Sequence, residues 1–226
     1  MVDKQHTPLH VHAQHNDFYV IEKPAGLNFH SEEGPGFVVI AQQQLNEKLY
    51  AVHRLDKVTS GLIILARSSE AAAEFTRQFT AHEVDKYYLA LSDAKPKKKQ
   101  GWVKGDMAKS RRSSYKLLNT TENPAITRFY SMSVAANLRG FILKPYSGKT
   151  HQLRVALKSI SAPILGDALY GGTIAERTYL HAYALCFLWD NELYRFICEP
   201  NSNTQFAQIT KHENFHSWQQ PWQLDW

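Results

Sequence analysis

The residues best suited to chemistry lie in one short stretch, His53–Leu62, which reads HRLDKVTSGL. It places the carboxylate of Asp56 beside basic side chains and two hydroxyls. Apolar residues flank it on both sides, so the pattern predicts a strand, an exposed bend and a buried strand, with Gly61 relieving the backbone where the chain turns inward. A carboxylate in such a bend is held rigidly and remains open to a substrate. Spacing alone favours an ordinary turn in which Asp, Ser and Thr side chains bond the backbone.

Positive charge is concentrated in residues 95–116, where nine residues are basic and one is acidic, in a protein whose net charge is +5. The nine are Lys95, Lys97, Lys98, Lys99, Lys104, Lys109, Arg111, Arg112 and Lys116. The segment predicts a basic hairpin or flexible insertion that follows a phosphate backbone, although a solvated loop fits about equally well. Trp102 and Tyr115 interrupt it and could stack on unpaired bases or anchor it to the core.

The composition narrows the class of protein. With 226 residues and 43% hydrophobic content, the chain can bury a globular core. No apolar run approaches the ~18 residues of a membrane helix, and the first residues lack a signal-peptide profile, so we expect a cytoplasmic protein. Cys186 and Cys198 match no disulfide framework or Cys-x-x-Cys motif, which indicates free thiols. The histidines at positions 6, 10, 12 and 15 match no zinc pattern and have no acidic partner among them, so no metal site is expected.

Apolar periodicity predicts more strands than helices. Helices are expected from Phe37 toward Leu49, after a Ser69 cap, and over 150–160 with Thr150 as cap. Strands are expected at residues 18–21, 87–91, 129–134, 140–144 and 181–188. In the strand at 87–91, Tyr88 faces away from Tyr87.

Short connections between these strands favour antiparallel pairing, so the pattern predicts an α+β fold around a mixed sheet. We expect a flexible tail at residues 1–14 and one catalytic domain over 15–226. Residues 201–226 form an extension of that domain in which tryptophans four residues apart could form one stripe of a terminal helix, although Pro221 argues against a continuous one.

The order His-Arg-Leu-Asp-x-x-Thr-Ser-Gly-Leu at 53–62 resembles the signature of the RluA-type pseudouridine synthases. Further segments resemble the same family in the same order, and the resemblance spans roughly residues 15 to 200. They read EKPAGL at 22–27, KYYLA at 86–90, GKTHQLR at 148–154, PILGDALYG at 163–171 and LHA at 180–182. The resemblance implies a pseudouridine synthase fold, in which a cleft crosses a central, largely antiparallel mixed sheet with flanking helices.

The resemblance also implies roles for individual residues. Asp56 is the expected catalytic carboxylate, Arg154 its expected partner, and Tyr88 the expected stacking partner of the detached uracil. Arg54 and His53 are expected at the RNA face, although structural duty is the better interpretation of His53. Further RNA contacts are expected from Lys97, Lys98, Lys99, Arg111, Arg112 and Lys149. The family usually has arginine where Lys149 stands, a change that keeps the charge but loses the planar fork.

Isomerising uridine to pseudouridine requires breaking the C1′–N1 bond, turning the uracil and joining C1′ to C5, with no cofactor. Asp56 could attack C1′, as in retaining glycosidases, or draw a proton from C2′. The target base in structured tRNA or rRNA must be flipped into the site, and we expect a monomer to do this. The alternatives are an N-glycoside hydrolase and a non-catalytic RNA-binding or RNA-folding protein. ATP use is not supported, because the phosphate-loop spacing would need glycine at position 143, which is Leu143.

Overall fold

The computed structural model describes residues 8–31 and 34–226. The chain divides into two compact units, Met1–Glu83 and Val84–Trp226, and each is described by itself. Both units combine antiparallel strands with a few helices, which confirms the predicted α+β class. Within the described residues, no helix is long and apolar enough to span a membrane. The prediction of one domain over residues 15–226 stays a prediction.

The first unit is a small antiparallel sheet with two helices. Its elements are β1 (His10–Gln14), β2 (Phe18–Lys23), α1 (Phe37–Leu45), β3 (Tyr50–Ala51), β4 (Ser60–Ala66) and α2 (Ser69–Thr80). β2 pairs with β1 on one side and with β4 on the other, and β3 also pairs with β4. All seven residues of β4 are buried, so the apolar run after the Asp56 bend forms the predicted buried strand.

The second unit is built on a six-stranded antiparallel sheet. Its strands are β5 (Asp85–Ser92), β6 (Gln100–Gly105), β7 (Met107–Lys109), β8 (Tyr115–Leu117), β9 (Ala125–Ala135), β10 (Leu138–Pro145), β11 (Leu180–Trp189) and β12 (Glu192–Ile197). The sheet order is β12-β11-β5-β10-β9-β6, and β7 pairs with β8 in a separate hairpin. The helices are α3 (Gln152–Ser159) and α4 (Ala207–Thr210).

The core of the second unit contains residues from the sheet, α3 and the C-terminal segment. Leu157 of α3 is fully buried with strand residues such as Phe141, and Phe206 and Trp218 of the extension belong to the same cluster. The C-terminal segment is therefore part of the fold. Cys186 and Cys198 form no disulfide within the described part of the chain.

Several boundary predictions were wrong. The tail expected at residues 1–14 is a strand from His10 onward; residues 1–7 lie outside the described part. Among the described residues β1 pairs with β2 alone, and the polar side chains that such an edge strand carries gave no apolar pattern from which to predict it. The cap of α2 is Ser68, whose hydroxyl accepts from the Ala71 N–H at 3.0 Å, one residue before the predicted cap.

Thr150 does not cap α3. His151 precedes this helix in a left-handed conformation (φ 59°), and the side chain of Gln152 ties the helix start instead, since its Oε1 accepts from the Lys149 N–H at 3.1 Å. At the C-terminus, the expectation that Pro221 prevents a continuous helix is confirmed. Trp218 ends one 3₁₀ turn and Pro221 begins another, so no continuous helix carries the tryptophans.

Candidate active site

The loop that carries Asp56 is tied down at several points within the first unit. Asp56 is half-buried, Arg54 and Lys57 are exposed, and Leu55 inserts into the core. The Asp56 carbonyl accepts from the Thr59 N–H at 3.0 Å, which closes a tight turn. The loop therefore holds a partly accessible carboxylate on a fixed backbone. The sequence pattern predicted this bend between two strands.

A buried lysine anchors this loop. Lys23, at the end of β2, is fully buried, and its ammonium donates to the carbonyls of Pro24 at 2.8 Å and Thr59 at 2.9 Å. It also reaches the Lys57 carbonyl at 3.4 Å, which accepts from the Gly26 N–H at 2.7 Å as well. Lys23 was not predicted as a site residue. The available signal was its place in the EKPAGL segment, which resembles a family motif. A charged side chain is buried only where partners satisfy it, and the backbone carbonyls do so here.

His53 has a structural role in the same loop. Its Nε2 accepts from the Ile64 N–H at 2.9 Å, and its ring stacks on Phe79 with the centroids 4.5 Å apart. A ring nitrogen that accepts a hydrogen bond carries no proton, so Nε2 is unprotonated in this arrangement. These contacts tie the start of the loop to β4 and α2, in line with the structural duty expected of His53.

In the second unit, Arg154 is held by a carboxylate that was not predicted as its partner. Arg154 Nε lies 2.7 Å from Asp167 Oδ2, and one Nη lies 2.8 Å from Oδ1. Both side chains are almost completely buried, and the guanidinium carbon lies 4.9 Å from the centre of the Tyr170 ring. The two-point grip and the ring contact fix the plane of the guanidinium.

Tyr170 also connects this cluster to the β7–β8 hairpin. Its hydroxyl accepts from the Tyr115 N–H at 3.0 Å and is 2.9 Å from His151 Nδ1. Tyr115 begins β8. The basic side chains exposed on this hairpin are Lys109, Arg111, Arg112 and Lys116. Residues 95–116 therefore include a basic hairpin, and Tyr170 helps to join it to the surroundings of Arg154.

The two tyrosines of β5 differ as the period-two pattern predicted. Tyr87 is buried and its hydroxyl donates to Asp85 Oδ2 at 3.1 Å, and burial raises its pKa far above the ordinary value. Tyr88 is half-buried, and β10 and β11 flank it through its register partners Leu143 and Ala182. Tyr87 is a core residue, and Tyr88 is the more accessible of the two.

The remaining basic residues lie in two places in the second unit. Lys97, Lys98 and Lys99 are exposed in the connection before β6, where the Lys97 N–H bonds to the Ile160 carbonyl at 2.8 Å. The half-buried Lys149 donates to the Asn123 side chain at 2.7 Å. The exposed indole of Trp102, on β6, lies 5.2 Å from the Arg128 guanidinium, so the ring is held on the surface of the sheet.

Comparisons with known proteins agree with this fold. The family model for RNA pseudouridylate synthase matches residues 17–159. A Haemophilus influenzae protein described as an uncharacterized RNA pseudouridine synthase is 52% identical over 204 residues, covering 88% of this chain and 91% of the relative. The dual-specificity RNA pseudouridine synthase RluA of Escherichia coli is 34% identical over 182 residues, covering 76% of this chain and 83% of RluA.

Among solved structures, human RNA pseudouridylate synthase domain containing 4 shares the fold. Its TM-score is 0.72 at 23% identity, covering 88% of this chain and 90% of the human chain. The family model and the two sequence relatives define an isomerase that acts on RNA. The chain belongs to the RNA pseudouridylate synthase family and is an RluA-type member, which converts uridine to pseudouridine.

Proposed function

We propose that Asp56 is the catalytic carboxylate of this enzyme and that Tyr88 and Arg154 serve the same reaction. The observation that carries the proposal is the HRLDKVTSGL segment, in which Asp56 sits half-buried on a loop anchored by Lys23 and His53. A carboxylate held this way can attack C1′ or take a proton from C2′ without first having to be ordered.

The roles of the partner residues follow from their chemistry. Arg154 carries a permanent positive charge in a fixed plane, which suits it to orienting a carboxylate and keeping it ionised. Tyr88 offers an aromatic face for the uracil and a hydroxyl that can handle the proton at C5. Breaking the C1′–N1 bond builds positive charge on the sugar, and a nearby carboxylate stabilises it.

We propose that the substrate is structured RNA of the tRNA or rRNA class. A Rickettsia bellii relative, 33% identical over 183 residues, is described as a ribosomal large subunit pseudouridine synthase, and RluA of Escherichia coli as a dual-specificity RNA pseudouridine synthase. Arg54 is exposed two residues before Asp56, where it can stack on a base or pair with a phosphate once the target uridine is flipped. The exposed lysines at 97–99 and the basic hairpin supply further phosphate contacts.

The enzyme is proposed to act as a monomer in the cytoplasm. Its free thiols suit a reducing compartment, and its substrate class is found there. Analytical ultracentrifugation with and without RNA tests the stoichiometry. A stable dimer at the concentrations used for catalysis would refute the monomer.

The test of function is product analysis on unmodified RNA. Transcripts of tRNA and rRNA made with C5-tritiated uridine are incubated with the enzyme, and released tritium and free uracil are measured separately. Isomerisation predicts tritium release with no free uracil, and mapping the product locates the modified positions. Free uracil would instead identify a glycoside hydrolase, and RNA binding without release of either would identify a binding protein.

A further inference from the structure

Three potential metal ligands meet on β1 and β2 of the first unit: His10, His12 and Glu22. One ligand atom from each lies within 4.8 Å of the others. The register of the strands sets His10 opposite Glu22, with Nδ1 3.2 Å from the carboxylate oxygen. His12 is the extra residue of a β-bulge between Val11 and Ala13, and its ring centre lies 4.3 Å from that of His10. The bulge therefore lies where the two imidazole rings come together.

The Nε2 atom of His12 is the unexplained part of this cluster. It is shielded from solvent and has no hydrogen-bond partner within residues 8–31 and 34–226. Buried polar side-chain atoms in native proteins normally have a partner, so an exception calls for one that is missing from the protein itself. His10 and Glu22 also line a cavity of about 360 Å³. Two of the three side chains thus border a space that admits a hydrated ion, and His12 is not among the residues that line it.

We propose that His10, His12 and Glu22 bind one divalent transition-metal ion of the zinc class. Two imidazoles and one carboxylate are preferred ligands of such ions, whereas magnesium and calcium prefer oxygen ligands alone. Three protein ligands and one water complete a tetrahedral shell. Atoms that bind zinc at about 2.0–2.2 Å lie closer to one another than the 4.8 Å within which these ligand atoms lie. Zinc binding therefore requires a side chain to move, and the His10 side chain, 68% exposed, is able to turn inward.

The metal would join the edge strand β1 to β2. No metal site was expected from the sequence, in part because no acidic residue stands among the N-terminal histidines, but strand pairing supplies Glu22 from the neighbouring strand. The proposal concerns the first unit only and does not depend on the RNA reaction.

Zinc titration of the full chain, freed of metal by chelation, tests the site. Isothermal titration calorimetry should show one saturable Zn²⁺ site, and zinc at a hundredfold excess over Kd should raise Tm by about 5 to 10 °C. His12→Ala should weaken binding at least about tenfold, since even loss of an outer-shell partner does so. The matched control is His82→Asn, which removes an exposed histidine at a left-handed position that asparagine tolerates.

Two results would overturn the proposal: no saturable zinc binding by the wild type, or equal affinity in wild type and His12→Ala. Should His12→Ala fail to fold, Glu22→Gln replaces it, because glutamine keeps the size of the side chain and removes its charge. Cobalt gives an independent readout. The wild type should develop the visible absorption of tetrahedral Co²⁺ and Glu22→Gln should lose intensity, whereas the same spectrum from both would count against the three-ligand site.

Discussion

Replacing Asp167 with asparagine should destabilise the second unit by about 3 to 5 kcal/mol, the usual cost of removing one partner from a buried ion pair. The side chains of Arg154 and Asp167 are only 6% and 1% exposed, and two hydrogen bonds of 2.7 and 2.8 Å join them. An asparagine oxygen can keep one of these bonds but not the charge. The cost therefore arises from the loss of one charge-assisted hydrogen bond and of the carboxylate charge beside a buried guanidinium.

Glu74→Gln is the matched control, because the same chemistry occurs there on the surface. Arg77 grips Glu74 through bonds of 2.9 and 2.7 Å, but the two side chains are 54% and 42% exposed. The pairing holds the pKa of Glu74 at about 2, yet solvent screens an exposed pair and Glu83 remains as a second partner of Arg77. This substitution should cost no more than about 1 kcal/mol.

Urea unfolding followed by circular dichroism is the assay, because this signal reports on the unit of Glu74 as well as on that of Asp167. Tryptophan fluorescence is the second signal, and all five tryptophans lie in the unit that contains Asp167. With a slope of about 3 kcal/mol per M, Asp167→Asn should lower the midpoint by about 1 to 1.7 M. Glu74→Gln should leave it almost unchanged. A loss below about 1 kcal/mol for Asp167→Asn would show that the buried pair does not hold Arg154 as described.

Three further outcomes follow from the contacts. Tyr170→Phe removes the acceptor of the Tyr115 N–H, so hydrogen exchange of that amide should become about tenfold faster and RNA affinity should fall. Unchanged exchange would show that the Tyr170 hydroxyl does not hold the hairpin. Lys23→Met leaves the Pro24 and Thr59 carbonyls without their buried donor and should cost about 2 to 4 kcal/mol in urea unfolding, against no measurable cost for the exposed Lys57→Met. Neutralising Lys97–Lys99 should make the slope of log K against log salt shallower by about 2, measured by RNA binding at several salt concentrations; an unchanged slope would make the segment a solvated loop.

Sequence patterns predicted the parts of the fold where apolar periodicity is strong. The run from Leu62 to Leu65 became the interior of the fully buried β4, and the period-two alternation separated Tyr87 from Tyr88 correctly. The ends of the helices were harder to predict, because adjacent residues can serve equally well as caps. Ser68 and Ser69 are equally good caps by type, and only the backbone conformation made Ser68 the cap of α2.

The contacts around the candidate site residues were beyond local patterns. Arg154 and Asp167 are 13 residues apart, and their pairing depends on the chain folding back after α3. In the sequence, Lys23 looks like an ordinary surface lysine. Its hydrogen bond to the carbonyl of Thr59, 36 residues away, is visible only in the folded chain. Glu22 meets His10 only because β1 pairs with β2. Residue identity marked the Asp56 loop through its family resemblance, whereas its anchors became visible only in three dimensions.

Tritium release by an Asp56→Asn variant shows whether the Asp56 carboxylate is needed for the reaction. The variant is compared with wild type and with Asp93→Asn, which changes an exposed aspartate in the connection after β5. RNA binding and unfolding are measured on all three, because asparagine keeps the shape of the Asp56 side chain and should leave both nearly unchanged. Asp56→Asn should release no tritium from C5-labelled RNA while Asp93→Asn matches wild type. Release by Asp56→Asn at the wild-type rate would contradict the assignment of Asp56 as the catalytic carboxylate.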